Sequence, residues 1–274
     1  MRTSKKTVLI TGCSSGFGRL TAKLFNKNDW NVIATMRTPE KETELCELND
    51  VLVIKLDVTD TESVSKAVAA GIAEFGGIDA LVNNAGISGV GVFEQWDEEK
   101  INSIFETNVF GLMRVTKEVL PVMRKQGEGA IINISAVAGH FGIPFSSVYS
   151  AAKFAVEGLT EALAIEYAPF NIMVKAVAPG AYETNLFTSI DHGTLENGDE
   201  QIRDYSSKLT KQMGTTVEQM SEQSGQKSDP QEVADKVYEC AITKTPIRNV
   251  SGKDAEVLLQ MKKSMYEARS TLLT

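Results

Sequence analysis

Thr7-Val-Leu-Ile-Thr-Gly-Cys-Ser-Ser-Gly-Phe-Gly18 decides the fold. A short β-rich apolar run enters three closely spaced glycines, and from Arg19 to Lys27 the apolar spacing becomes that of a helix. Glycines let the backbone turn tightly, while a helix N-terminus aims free N–H groups and a partial positive charge at an anion. Gly12, Gly16 and Gly18 are therefore the expected cradle for a pyrophosphate, with Ser14, Ser15 and Phe17 among them.

Outward from this turn the same alternation repeats. Strands are expected at Thr7–Thr11, Asn31–Met36, Val51–Leu56, Ala80–Asn83, Ala130–Ser135 and Ile172–Ala178. Helical periodicity occupies Arg19–Lys27, Glu62–Phe75, Ile101–Lys125 and Ser150–Tyr167. Strands apolar on both faces, each followed by a helix, predict a doubly wound α/β domain with a parallel sheet covered on both sides. Thr59-Asp-Thr-Glu62 is a candidate capping box, and Gly76-Gly77 closes the helix it opens. From about Leu186 to Pro230 the texture turns polar, which fits either a substrate lid or an irregular surface excursion; its place after the last core strands favours the lid. A helix at Gln231–Thr243, a short strand near Glu256–Leu259 and a helical or frayed tail at Met261–Leu273 complete a single domain spanning 1–274.

The end of the second strand discriminates between the two nicotinamide cofactors, because a carboxylate there holds ribose hydroxyls and a basic residue accommodates a 2′-phosphate. This strand ends Ala34-Thr-Met-Arg37, and no Asp or Glu follows before Glu40. NADP is the expected cofactor, with Arg37 toward its phosphate; Arg19 is read as a helix-surface residue that could assist.

Composition limits the remaining classes. A formal net charge of -8 and the absence of a long basic cluster argue against nucleic acid as a partner. No run approaches the ~20 apolar residues of a membrane span, and the apolar stretch after the basic N-terminus is too short for a signal peptide, so a cytoplasmic location is expected. Cys13, Cys46 and Cys240 are too widely spaced for a disulfide framework or a metal knuckle. His140 and His192 lack a partnering cluster, so no metal is expected; His140 follows Ser135 closely enough to border a pocket.

Tyr149-Ser-Ala-Ala-Lys153 places a phenol and an ammonium one helical turn apart. A phenol ionises near pH ~10, and a nearby cation favours the phenolate, which makes Tyr149 a candidate general acid/base.

Together, the glycine loop, Asn83-Asn-Ala-Gly86 after the fourth strand, Asn108 in a helix, Ser135 at a strand end and Tyr149 with Lys153 closely resemble the short-chain dehydrogenase/reductase family. The resemblance runs from about Thr7 to Thr184 and implies a Rossmann-type fold with direct hydride transfer between a nicotinamide and a carbonyl carbon. It implies that Tyr149 passes the proton, Ser135 hydrogen-bonds the substrate oxygen and Lys153 lowers the phenol's pKa while holding the nicotinamide ribose. Asn108 would anchor a water linking Lys153 to solvent. Further cofactor contacts carried over by position are Asp57 and Val58 on the adenine, Asn84, Ala85 and Gly86 beside the glycine loop, and Pro179, Gly180 and Thr184 on the nicotinamide side. The resemblance also implies pairing through the two long helices, giving a homodimer or homotetramer, unless the tail shields them.

The expected activity is therefore an NADP(H)-dependent oxidoreductase interconverting a ketone or aldehyde with an alcohol. A weak likeness of the C-terminal Gly252-Lys-Asp-Ala255 and its apolar sequel to retinol and hydroxysteroid dehydrogenases suggests a hydrophobic substrate. Hydrolysis through a nucleophile elbow is disfavoured, since no G-x-S-x-G occurs. The extended-family epimerases are disfavoured by the glycine spacing. The alternative from another class is a non-catalytic NADP(H) sensor, but such proteins usually lose the tyrosine or lysine that this chain keeps.

Overall fold

The computed structural model describes residues 5–182, 193–211, 229–260 and 262. Seven strands form one sheet: β1 (Thr7–Thr11), β2 (Asn31–Met36), β3 (Val51–Lys55), β4 (Ala80–Asn83), β5 (Gly129–Ile134), β6 (Ile172–Pro179) and β7 (Arg248–Ser251). Their order is β3-β2-β1-β4-β5-β6-β7, and every neighbouring pair runs parallel. The helices are α1 (Gly16–Lys27), α2 (Thr61–Phe75), α3 (Glu98–Phe105), α4 (Leu112–Gln126), α5 (Ser147–Tyr167), α6 (residues 200–211), α7 (Gln231–Ile242) and α8 (residues 253–260).

Side-chain alternation along the strands distributes two cores. Val8, Ile10, Val32, Ala34 and Val82 pack with Phe25 of α1 and Val233 and Val237 of α7. Leu9, Ile33, Leu81, Ile131 and Val174 point the other way, onto Val64 and Val68 of α2 and Val115 and Val119 of α4. Because both faces are dry, the strands read as continuous apolar runs, and each fully buried Leu or Ile contributes roughly 1.5–3 kcal/mol. Phe25 closes the first core by meeting Trp30 and Tyr238 edge-on, each at 5.0 Å between centroids. Gly71 lets α2 lie against the sheet, since a Cβ there would fall 2.3 Å from Ile33 Cδ1.

Several local expectations are revised. The run expected as one helix over Ile101–Lys125 is divided by a π turn at Glu106–Gly111, which carries Asn108. Asp60, not Thr59, caps α2, its carboxylate accepting from the N–H groups of Glu62 and Ser63, while Thr59 turns back onto Asp57. Gly76, left-handed at φ 83°, ends α2 as anticipated.

The strand expected near Glu256–Leu259 is helix α8; the seventh strand lies earlier, at Arg248–Ser251. Its signal is hidden because the buried side chains there are polar: Asn249 donates to the carbonyls of Ala176 and Pro246. Within the polar excursion, residues 200–211 are helical, while 186–192 and 212–228 lie outside the described residues, as do Thr184 and nearly all of the tail 261–273. Among the described residues no helix is long and apolar enough to cross a membrane.

Candidate active site

β1 pairs with β2 on one side and β4 on the other: the strand order runs outward through β2 to β3 and then crosses back to β4, which opens a crevice beyond the C-terminal end of β1. The glycine turn fills that position. Gly12 has φ +74°, and a Cβ on it would press to 3.0 Å from Ala85 Cα. Gly18 is tighter still: a Cβ there would sit 2.3 Å from the Gly12 carbonyl oxygen and 2.5 Å from Asn84 Nδ2. The Asn84 carboxamide donates to the carbonyls of Thr11 at 2.8 Å and Gly12 at 3.1 Å. Thr11 Oγ1 in turn accepts from the N–H groups of Asn84 and Ala85, both at 3.0 Å. Thus the Asn84-Ala85-Gly86 segment and the glycine turn buttress one another. Helix α1 begins here with no capping side chain and no acidic residue in its first turn. That N-terminus fits the pyrophosphate of a dinucleotide.

On the adenosine side, Arg37 follows β2 as an exposed side chain. Glu42, the first buried carboxylate after it, is committed elsewhere: it accepts from the backbone N–H groups of Glu44 and Leu45 and pairs with Arg19 at 2.6 Å. Burial works against its charge, but these two N–H groups and the Arg19 guanidinium outweigh it and hold the carboxyl below its ordinary range. Arg19 also pairs with Glu44 at 2.9 Å, so it is a tie between α1 and the 42–47 turn rather than a bare surface residue. Asp57 is turned toward Thr59, accepting from its N–H and hydroxyl at 2.9 and 2.8 Å, while its own N–H donates to Ser63 Oγ. Val58 is buried, and Gly111 passes so close that a Cβ there would meet its side chain at 2.7 Å.

Where β5 ends against α5, Lys153 stands between the Ile134–Ser135 strand end and the Tyr149 ring one turn earlier on the helix. Lys153 is buried and donates to the carbonyl of Ile134 at 2.8 Å, with Nζ 5.6 Å from the centroid of the Tyr149 ring. Burial lowers its pKa from the lysine norm to about 8, opposed by the charge of Glu157. Ser135 Oγ is buried without a hydrogen-bond partner among the protein atoms, which leaves it available to another oxygen.

The lowered phenol pKa expected from the sequence is not seen in this arrangement. Burial pushes Tyr149 above its ordinary value, and the Lys153 ammonium, tethered to the Ile134 carbonyl 5.6 Å from the ring centroid, does not reverse the effect. Just before α5, Phe145 holds a left-handed φ of 70°, and its carbonyl accepts from Gly91 N–H at 2.9 Å. Asn108, in the π turn, exchanges two 2.8 Å hydrogen bonds with the backbone of Ile87, so its side chain fixes the loop after Gly86.

Beyond β6, Gly180 N–H donates to the Ser251 carbonyl at 3.0 Å and Ala181 N–H to Asp254 at 2.6 Å. A Cβ on Gly180 would collide with the Asp254 carboxylate at 2.2 Å. Tyr182 is buried against Phe17, edge-on at 5.4 Å, and its hydroxyl reaches Glu232 and Ser251. The Pro179-Gly180 turn is thereby clamped from α7, β7 and α8.

Three groupings escaped the sequence reading. Asn83 Nδ2 donates to Thr116 Oγ1 and to Asn133 Oδ1, and Asn133 Nδ2 donates to Thr160 Oγ1, stitching β4 and β5 to α4 and α5 through buried polar groups. Gln95, fully buried, donates to the carbonyls of Leu195 and Asn197, while Asn197 returns a hydrogen bond to the Gln95 carbonyl and Thr194 Oγ1 donates to Val90. His140, read as lacking a carboxylate partner, faces buried Glu157 at 3.4 Å. Only the last carried a signal, since Glu157 recurs four residues after Lys153 on the helix.

A parallel sheet in this order, with a glycine turn at its switch point and a Ser, Tyr and Lys group beside it, defines a dinucleotide-binding α/β enzyme. The chain matches the short chain dehydrogenase family over residues 6–194 and belongs to it; it is an oxidoreductase of that family.

Among curated relatives, it is 40% identical over 259 residues to the uncharacterized oxidoreductase YusZ of Bacillus subtilis, covering 90% of this chain and 88% of that protein. It is 42% identical to 3-ketodihydrosphingosine reductase of Bacteroides thetaiotaomicron (72% and 71% covered) and 40% identical to human retinol dehydrogenase 8 (68% and 62% covered).

Among solved structures, a short-chain dehydrogenase from Streptomyces avermitilis superposes with a TM-score of 0.82 at 35% identity, covering 98% of this chain and 96% of that one. ElxO with NADP bound gives 0.73 at 33% identity (90% and 97% covered). The 3-ketoacyl-(acyl-carrier-protein) reductase of Brucella melitensis complexed with NADH gives 0.75 at 29% identity (91% and 98% covered).

Proposed function

We propose that this protein is an NADP(H)-dependent carbonyl reductase, working reversibly as an alcohol dehydrogenase on a hydrophobic ketone or aldehyde. The observation that carries the proposal is the convergence of an unpartnered, buried Ser135 hydroxyl with Tyr149 and Lys153 beside a cradle that only glycine fits. A nicotinamide cofactor bound in that cradle supplies the hydride.

The chain's own residues do the rest. Ser135 Oγ donates to the substrate oxygen, which orients the carbonyl and stabilises charge as it develops there. Tyr149 delivers the proton to that oxygen in reduction and withdraws it in oxidation. Lys153 supplies positive charge beside the phenol and a donor for ribose hydroxyls, while Asn108 holds the 86–87 loop that borders the site. Gly12, Ser14, Ser15, Gly16, Phe17 and Gly18 line the pyrophosphate side, Asp57 and Val58 the adenine side, and Asn84, Ala85, Gly86, Pro179 and Gly180 the middle and nicotinamide side.

Preference for NADP is supported by the exposed Arg37 after β2 and by the sequestration of Glu42. The NADP-bound ElxO relative agrees with this, whereas the NADH-bound reductase shows that the fold accepts either form. A hydrophobic substrate is supported by relatives named for a ketodihydrosphingosine and a retinol. The described part of the polar excursion, residues 193–211, forms the proposed cover of the substrate side, tethered through Thr194 and Asn197 to the 90–95 turn. Exposed Phe110 and Met113 beside and on α4, with Phe154 on α5, fit the pairing of two copies through these helices.

The test is a spectrophotometric assay with NADPH and NADH against a panel of ketones and aldehydes, run beside Tyr149→Phe. NADPH-preferring turnover that disappears in the variant supports the reading; turnover retained by Tyr149→Phe overturns it.

A further inference from the structure

Behind the Ser135, Tyr149 and Lys153 group lies a second, buried set of charges. Glu157, one turn after Lys153 on α5, is 1% exposed. One carboxylate oxygen lies 3.4 Å from His140 Nε2 and the other 3.2 Å from Arg248 Nε of β7, both without hydrogen-bond alignment, and only the second brings opposite charges together. Arg248 also pairs with Glu161 at 3.0 Å, and Lys262 donates to the His140 carbonyl. Holding a carboxylate this far from water costs several kcal/mol, which only attraction to nearby positive charge and dipoles offsets.

Gly139 shows what the cluster touches. A Cβ at that position would lie 2.7 Å from Ser135 Oγ, 3.0 Å from Glu157 Cγ and 3.0 Å from the Lys153 carbonyl. The turn Val137–Gly139 is thus the spacer between Glu157 and the Ser135 hydroxyl, and the His140 contact closes its far end. On the other side, the Glu157 charge acts on Lys153 against the effect of burial. His140 brings no competing charge at neutral pH, because burial holds its imidazole below the ordinary histidine value despite the neighbouring carboxylate.

We propose that Glu157 is a positioning residue for the reaction: its buried carboxylate fixes the turn that follows Ser135 against α5 and supplies the negative charge that keeps Lys153 an ammonium inside the protein. This rests on the proposed roles of Tyr149 and Lys153. The charged and titratable groups facing Glu157 are His140 from the turn, Arg248 from β7, Lys153 and Glu161 from α5, and Lys262 through the His140 carbonyl.

The experiment is a pH titration of the full chain labelled with ¹³C at lysine Cε, followed by NMR, with Lys153→Met assigning the signal. In Glu157→Gln the Lys153 midpoint is expected to fall by about one pH unit, the size one nearby opposite charge produces. The descent of kcat at alkaline pH moves with it, while KM for the cofactor stays. A midpoint that does not move overturns the proposal, since a residue that only packs the core would change thermal stability and leave the titration alone. Should Glu157→Gln fail to fold, Glu157→Met, which keeps the volume without a buried polar atom, serves instead: it too lowers the Lys153 midpoint if Glu157 acts as argued, and an unchanged or raised midpoint overturns the proposal. The NMR readout needs no turnover, so failure of the catalytic reading, seen as activity retained in Tyr149→Phe, is told apart from failure of this one.

Discussion

The carboxamide of Asn84 donates to the Thr11 carbonyl at 2.8 Å, and a Cβ on Gly18 would fall 2.5 Å from the nitrogen of that carboxamide. The cofactor turn is therefore set by a residue more than seventy positions away, through a contact that leaves no space for a methyl group. Gly18→Ala should cost about 1–3 kcal/mol of strain, the range for overpacking, and weaken NADPH binding tenfold or more. Fluorescence titration of the variant checks this, and an unaltered dissociation constant would falsify the close-approach argument.

Tyr149→Phe removes the phenolic hydroxyl and nothing that touches the glycine turn. Turnover should fall roughly 10²- to 10⁴-fold, the usual worth of a positioned proton donor, with cofactor binding nearly unchanged. Lys153→Ala should damage both, because the proposed role of the lysine serves phenol and ribose alike. Steady-state kinetics paired with binding measurements separate the two patterns.

Arg37→Asp replaces the exposed cation after β2 by a carboxylate suited to ribose hydroxyls. Loss of a charge-assisted contact, about 1.5–3 kcal/mol, corresponds to a roughly 10- to 100-fold fall in NADPH efficiency, with NADH gaining ground. An unchanged ratio of the two efficiencies would refute the role given to Arg37.

Lys153, held to about 8 by burial against the pull of Glu157, carries its charge below that pH and loses it above. Carbonyl reduction should therefore decline as pH rises through about 8. The linkage to stability runs the other way: between about 8 and the ordinary lysine value the unfolded chain binds more protons at this residue, so this group alone stabilises the fold as pH rises. A falling rate without a falling unfolding midpoint marks the titration as that of the site.

Asp254 accepts from Ala181 N–H and stands where a Gly180 side chain would be. Asp254→Ala should free the turn after β6 and raise KM for the cofactor about tenfold, in line with a lost hydrogen bond to a charged acceptor, with a smaller effect on kcat. A KM equal to that of the unmodified protein would show that β7 and Tyr182 hold the turn without it.

The strands β1, β2, β4, β5 and β6 were legible because both their faces are buried, which makes Val, Ile, Leu and Ala continuous and leaves glycine or polar residues at the ends, and the edge strand β3, only partly buried, was legible from its Val51-Leu-Val-Ile54 run. β7 was not, since Arg248, Asn249 and Ser251 carry an edge strand on polar side chains whose partners are other elements. The glycine turn and the Tyr149, Lys153 pair were visible as local spacings. Glu42, Gln95, Asn133 and Asp254 were invisible for one physical reason: each acts through a hydrogen bond or ion pair to a backbone or side chain whose proximity exists only after folding. The expected capping box failed more narrowly, because Asp60 competes with its neighbour Thr59 for the same helix end and makes the bonds.

The all-parallel order β3-β2-β1-β4-β5-β6-β7 also governs how the molecule is reached from the disordered chain. No two neighbouring strands are joined by a hairpin; even the consecutive pairs are separated by a connecting segment, and β1 must wait for β4, whose register with Val8 and Ile10 starts at Ala80. Closing such loops costs entropy before any pairing returns it, so refolding belongs to the slow range of topologies rich in distant contacts. The glycine turn and Asn84 come together only when that central pairing forms, which makes recovery of cofactor binding after dilution from denaturant a late event, following the compaction of α1 against β2.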